Sequence, residues 1–131
     1  MRKLEDTQIL VIDDESFILS VTVAILGRLG CSNVDTAANG AIAIEKINDK
    51  ADSSYDLVIC DLNMPVLDGE GFIRKAGECG FSGALVLATG EESELLEQAL
   101  ELARTLNLNL LGALTKPPNP GQLGSMLERL N

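Results

Sequence analysis

Apolar residues along this chain fall into short continuous runs separated by longer, periodically apolar stretches. The first run is Ile9-Leu10-Val11-Ile12, ending at Asp13-Asp14. A helix is expected from about Ser16 to Leu29, with Ile18, Val21 and Ile25 on one face and Gly30 as its stop. A second strand fits Val34 to Ala37, and Asn39-Gly40 opens a helix carrying Ala43, Ile44 and Ile47. The third strand is Asp56 to Cys60, introduced by Tyr55 and ending at Asp61. A loop with Pro65 and Gly69 leads to a helix around Phe72, Ile73 and Ala76, closed by Gly80. The fourth strand is Ala84 to Ala88, ending at Thr89-Gly90. A long helix from about Ser93 to Leu106 follows, with Leu95, Ala99, Leu102 and Leu106 on one face. The fifth strand runs from about Leu110 to Thr115 and ends at Lys116-Pro117. The last helix carries Leu123, Met126, Leu127 and Leu130.

Strands one, three and four are apolar throughout rather than alternating. Such strands are buried on both faces, as in a parallel sheet between helix layers. Five βα units therefore make a three-layer α/β sandwich, and 131 residues suit one domain, residues 1–131. Ligands of such sheets bind beyond the carboxyl ends of the strands.

Composition narrows the chemistry. The 20 acidic residues outnumber the 10 basic ones, for a formal charge of −10. That surface repels phosphate backbones and anionic membranes, so neither nucleic acid nor membrane is an expected partner. Aromatics are 3%, too few for a base-stacking platform. No apolar stretch reaches membrane-spanning length, and the N-terminus carries no apolar signal core. Cys31, Cys60 and Cys79 match no metal or disulfide pattern and fit a reducing cytoplasm. The chain has no histidine, so any phosphohistidine chemistry needs a partner's histidine.

In a parallel sheet all strand ends lie on one edge. Asp13-Asp14, Asp61, Thr89 and Lys116 should therefore converge on one cleft. Singly, each has a plain reading: a helix entry, a polar strand end, a turn, a strand exit. Together they put acids, a hydroxyl and an amine in one place. Carboxylates gathered there repel one another unless a cation intervenes, and Mg²⁺ suits a few carboxylates plus waters and a phosphate. Glu94, Glu97 and Glu101, with Glu91 and Glu92 before them, read as a solvated helical face.

Ile9 to Glu15, Asp61-Leu62-Asn63-Met64-Pro65 with Asp68-Gly69, Thr89, and Lys116-Pro117 together resemble the receiver domain of bacterial two-component response regulators. The resemblance spans essentially the whole chain. It implies a flavodoxin-like (βα)5 fold with sheet order 2-1-3-4-5. It also implies that Asp61 is the phosphoacceptor, with Thr89 and Lys116 as the other catalytic residues. Asp14 and Asp61 would ligate Mg²⁺ directly, Asp13 through water and Asn63 through its backbone carbonyl. Lys116 would pair with the phosphoryl group, Thr89 would move its hydroxyl to meet it, and Lys116-Pro117 would be cis. A sensor histidine kinase or histidine phosphotransfer protein would supply the phosphoryl group, and an output domain or downstream protein would read it. The setting would be cytoplasmic, and the only catalysis would be the domain's own phosphorylation and dephosphorylation.

Two features depart from the family pattern. Receivers usually carry Tyr or Phe three residues before the lysine, where this chain has Ala113. The Thr89–Lys116 interval is also about a helical turn longer. The stretch from Leu102 to Gly112 resembles receivers fused to cyclic-di-GMP phosphodiesterase outputs, which would make the chain part of a longer protein. Two other functions are compatible with parts of this pattern. A haloacid-dehalogenase-like phosphatase also uses Asp, Thr, Lys and Mg²⁺, but needs an Asp where Asn63 stands and its nucleophile on the first strand. A degenerate receiver would serve only as an interaction module.

Overall fold

The computed structural model describes residues 3–49, 55–62, 68–90 and 94–130. After a 3-10 turn at Leu4–Asp6, the elements are β1 (Gln8–Ile12), α1 (Ser16–Arg28), β2 (Asn33–Ala37), α2 (Gly40–Asp49) and β3 (Leu57–Asp61). They continue with α3 (Gly69–Glu78), β4 (Ala84–Thr89), α4 (Glu94–Thr105), β5 (Asn109–Thr115) and α5 (Pro120–Glu128). The strands form one sheet in the order β2-β1-β3-β4-β5, and each neighbouring pair is parallel. Fold class and strand order match the expectation. No helix among the described residues is long and apolar enough to cross a membrane.

Every residue of β3 and β4 is buried, which accounts for their unbroken apolar sequence. Side-chain alternation divides the interior into two cores. Leu10, Ile12, Val58, Cys60, Leu85 and Leu87 pack with Ala43, Ile47, Phe72, Ile73 and Ala76 of α2 and α3. Ile9, Val11, Leu57, Ile59, Val86 and Leu114 face the other way, toward Leu26 of α1 and Leu123, Met126 and Leu127 of α5. Each fully buried Leu or Ile contributes about 1.5–3 kcal/mol.

Polar side chains fix the helix starts. Asn39 Oδ1 accepts from the Ile42 amide at 2.9 Å, Asp68 Oδ1 from Gly71 at 2.8 Å, and Asn119 Oδ1 from Gly121 at 2.7 Å. Gly30 and Gly80 follow α1 and α3 with φ of 106° and 73°, as the expected stops require.

Two helix faces differ from expectation. In α1 the buried residues are Thr22 and Leu26, while Ile18, Val21 and Ile25 are half-buried. The helix is apolar almost all round, so periodicity alone could not choose its inner face. Thr22 is tolerated inside because its hydroxyl donates to the Ile18 carbonyl at 2.8 Å. In α4 the buried line is Leu96, Ala99 and Ala103; Leu102 is half-buried and Leu106 exposed. The side chain of Leu95 lies outside the described residues. Small Ala103 lets α4 approach the sheet where a periodic reading favoured Leu102. Glu94, Glu97 and Glu101 are exposed, as expected of a solvated face; Glu91 and Glu92 fall outside the described residues.

β5 is an edge strand with a break in its register. Leu85 pairs with Leu110 and Val86 with Gly112, so Leu111 is the extra residue. Gly112 has φ of 151°, and Arg129 Nη1 donates to the Leu111 carbonyl at 2.9 Å.

Two glycines of opposite surroundings test this packing. A Cβ at Gly83 would meet the Tyr55 carbonyl oxygen and lie 2.7 Å from the Phe81 ring, whereas one on Gly27, in α1, would meet nothing within 4 Å. Gly83→Ala should destabilise by about 1–3 kcal/mol through overpacking. Gly27→Ala should stabilise by about 0.5–1 kcal/mol through helix propensity. Urea unfolding of both variants checks this, and equal shifts would contradict it.

Candidate functional site

The candidate residues meet at the carboxyl edge of the sheet. Asp13 follows β1, Asp61 closes β3, Thr89 closes β4 and Lys116 follows β5. Backbone bonds extend the sheet past the regular strands. The Asp13 amide donates to Ala37 O at 3.1 Å, Leu62 to Ala88 O at 3.1 Å, and Lys116 to Thr89 O at 2.9 Å. These bonds fix the backbone at each site residue. The Lys116-Pro117 bond is cis, as the resemblance implied.

Asp13, Asp61 and Thr89 are buried, at 3%, 1% and 5% exposure, while Asp14 and Glu15 are exposed. Buried carboxylates require a countercharge. Lys116 supplies it: its Nζ lies 3.2 Å from Asp13 Oδ2, 3.2 Å from Asp61 Oδ2 and 3.1 Å from Glu15 Oε1. Burial alone would lower the Lys116 pKa. The hydrogen bond that Lys116 donates to Glu15 and the charges of Asp61 and Asp13 outweigh it and hold the ammonium above the ordinary lysine range. A small pocket of ≈ 10 Å³, bordered by Ile18, Thr22 and Ile59, adjoins Lys116.

Donor oxygens of Asp13, Asp14 and Glu15 lie within 4.8 Å of one another. An all-carboxylate set of this kind fits a hard divalent cation. Of the expected metal ligands, Asp13 and Asp14 stand in this cluster; Asp61 is not in it and meets Asp13 across Lys116. Asn63, with Pro65, lies outside the described residues. Glu15 was not among the expected site residues. Its signal was its position directly after Asp13-Asp14.

Neighbouring groups support the strand ends. The Asp13 carboxylate accepts from the Glu15 amide at 2.9 Å, which ties the β1–α1 turn to the site. A Cβ on Gly69 would lie 2.8 Å from Leu62 Cα, so the first residue of α3 packs tightly against Leu62. Burial first, and then Asp61, Asp13 and Asp68, push the Cys60 thiol up, which keeps it protonated. Cys60 lies in the core packed on α2 and α3, as expected for an inert thiol. Ala113 is half-buried, opposite Leu87, beside a groove of ≈ 340 Å³ lined by Leu100, Arg104, Leu108 and Leu110.

Removing Lys116 should expose how far the fold depends on it. Lys116→Met leaves Asp13 and Asp61 without their cation and should cost roughly 3 kcal/mol at neutral pH. A lysine pKa raised in the folded state gives stability that is fully present below the unfolded value and lost as pH rises through the folded one. From neutral pH upward the gap between wild type and variant should therefore stay level to about pH 10.4 and close only above it. Urea unfolding from neutral to alkaline pH checks this, and a gap that closes on raising the pH to about 9 would contradict it.

Three comparisons with known proteins bear on this geometry. The family model for the response regulator receiver domain matches residues 9–128. The cyclic di-GMP phosphodiesterase RocR of Pseudomonas aeruginosa is 30% identical over 128 residues, covering 98% of this chain. The chain spans 32% of the length of RocR. The Arabidopsis thaliana two-component response regulator 24 is 28% identical over 127 residues, covering 93% of this chain and 82% of that protein. Among solved structures, the Vibrio cholerae chemotaxis protein CheY4 superposes with a TM-score of 0.76 at 27% identity, covering 95% of this chain and 98% of that one. With five βα units in the order 2-1-3-4-5 and the acid–lysine cluster at the carboxyl edge, the chain belongs to the response regulator receiver domains, the phospho-accepting signalling switches of two-component systems.

Proposed function

We propose that the chain works as one receiver domain, residues 1–131, in which Asp61 accepts the phosphoryl group. The observation that carries this reading is the pair of buried carboxylates, Asp13 and Asp61, held by one lysine at 3.2 Å each. The chain has no histidine, so the phosphohistidine belongs to a sensor histidine kinase or a histidine phosphotransfer protein. An Asp61 oxygen attacks phosphorus, the P–N bond breaks, and the electron pair returns to the partner's imidazole. Attack is slow unaided because carboxylate and phosphoryl are both negative. Asp13, Asp14, Asp61 and the Asn63 carbonyl would hold Mg²⁺. When bound, this ion neutralises phosphoryl oxygens. Lys116 neutralises another oxygen, and Thr89 offers its hydroxyl. Catalysis by the domain is limited to its own phosphorylation and dephosphorylation, in a cytoplasmic setting.

Phosphorylation adds about −1.5 to −2 charge at one buried point. Thr89 and Gly90 lead toward α4, and Gly90 has open space around it. Ala113 gives β5 no ring to swing, so the response runs through Thr89-Gly90 into α4 and the acidic face of Glu94, Glu97 and Glu101. An output domain or downstream protein would read that face. Similarity to RocR supports a cyclic-di-GMP phosphodiesterase as that output.

Incubation with phosphoramidate and Mg²⁺ should add about 80 Da, and Asp61→Asn should abolish the adduct in intact mass. An unchanged adduct would move the acceptor elsewhere, and none in wild type would favour an interaction module. Asp14→Ala should weaken Mg²⁺ binding about tenfold or more in a direct titration, since a hard ligand is lost. With beryllofluoride and Mg²⁺, amide exchange should change at Thr89, Gly90 and the first turn of α4 while residues 110–115 stay constant. The reverse pattern would defeat the α4 route.

A further inference from the structure

We propose that Glu15 is a releasable latch on Lys116, a positioning residue that occupies the ammonium until a phosphoryl oxygen takes its place. The inference rests on the phosphoacceptor reading and extends it to a residue outside the expected site. A lysine ammonium has three hydrogens to donate. In this structure three carboxylates lie within reach of it: Glu15 at 3.1 Å, Asp13 at 3.2 Å and Asp61 at 3.2 Å. The contact to Glu15 has hydrogen-bond geometry, while those to Asp13 and Asp61 are ion-pair approaches. A phosphoryl oxygen arriving at Nζ competes with all three, and one of them gives way.

Burial decides which one. The Asp13 and Asp61 side chains are 4% and 1% exposed, so water cannot replace the lysine there. Asp13 is further fixed by the Glu15 amide on its other oxygen at 2.9 Å. The Glu15 side chain is 59% exposed, and water can take over its hydrogen bonds at once. Glu15 precedes the first residue of α1, yet its side chain makes no capping bond to the helix. Its carboxylate is committed to Lys116 and can swing away without disturbing the helix start. Release opens the ammonium on the side that faces solvent, where a phosphodonor arrives.

The nearness of Glu15 to Asp13 and Asp14 also allows a competing role as a metal ligand, and the test separates the two. Two variants are compared with wild type: Glu15→Ala, which removes acceptor and charge, and Glu15→Asp, which keeps the charge but shortens the reach by one methylene. First, without Mg²⁺ or phosphodonor, hydrogen exchange of the Lys116 ammonium is followed by NMR. Exchange should accelerate about two- to fivefold in both variants, the scale of one exposed ion pair. Second, at saturating Mg²⁺, adduct formation from phosphoramidate should accelerate by about the same factor in both. Third, Mg²⁺ affinity of Glu15→Asp should stay within about twofold of wild type.

Unchanged ammonium exchange in both variants overturns the latch. So does a fall of about tenfold or more in the Mg²⁺ affinity of Glu15→Asp, which would make Glu15 a ligand. Faster adduct formation in Glu15→Ala alone overturns it too, by reducing the effect to net charge. If no form takes up phosphate but ammonium exchange still responds, the latch stands and the phosphoacceptor reading fails.

Discussion

The carboxyl edge of this sheet is built around one ammonium. Lys116 faces Asp13, Asp61 and Glu15 at once, in a chain whose formal charge is −10. Without it, two buried carboxylates would sit side by side in a poorly solvated place. Their repulsion would act directly on the ends of β1 and β3, the central pair of the sheet. The same residue ties its amide to Thr89, so charge balance and strand pairing share one anchor. The site is thus a local conflict between charges, held in check by the packing of the whole sandwich.

That packing explains how much could be read in advance. The strands were legible because a sheet covered on both faces admits only apolar residues, and Leu57–Cys60 and Ala84–Ala88 leave no other reading. Convergence of Asp13, Asp61, Thr89 and Lys116 was legible because parallel strands all point the same way. Helix orientation was less so. α1 carries apolar residues almost all round, and its inner line runs through Thr22, which no hydropathy pattern selects. In α4 the deciding residue is Ala103, whose virtue is smallness rather than hydrophobicity. Glu15 was overlooked for a similar reason. An exposed acid after two acids reads as surface until the lysine, 101 positions away, is seen beside it.

The two cores have different relations to the site. Residues of the α1/α5 side, Ile9, Val11, Leu57, Ile59 and Leu114, share alternation parity with Asp13, Asp61 and Lys116. The opposite core carries Leu85 and Leu87, the parity of Thr89, and holds α3 and α4. Acid cluster and hydroxyl thus belong to opposite sides of one sheet. Under the proposed response, a change of charge on the first side would reach helices on the second through the end of β4.

The break at the outer edge of the sheet has a consequence for the protein's life in a crowded solution. β5 is apolar over Leu110 to Leu114 and, among the described residues, has no neighbouring strand beyond it, a sequence prone to recruit another strand. With Leu111 out of step, Gly112 bent to φ of 151° and the Leu111 carbonyl taken by Arg129, a second strand finds no regular ladder to join. The irregularity protects the protein against edge-to-edge aggregation, a hazard that its acidic surface alone would not remove at this apolar margin.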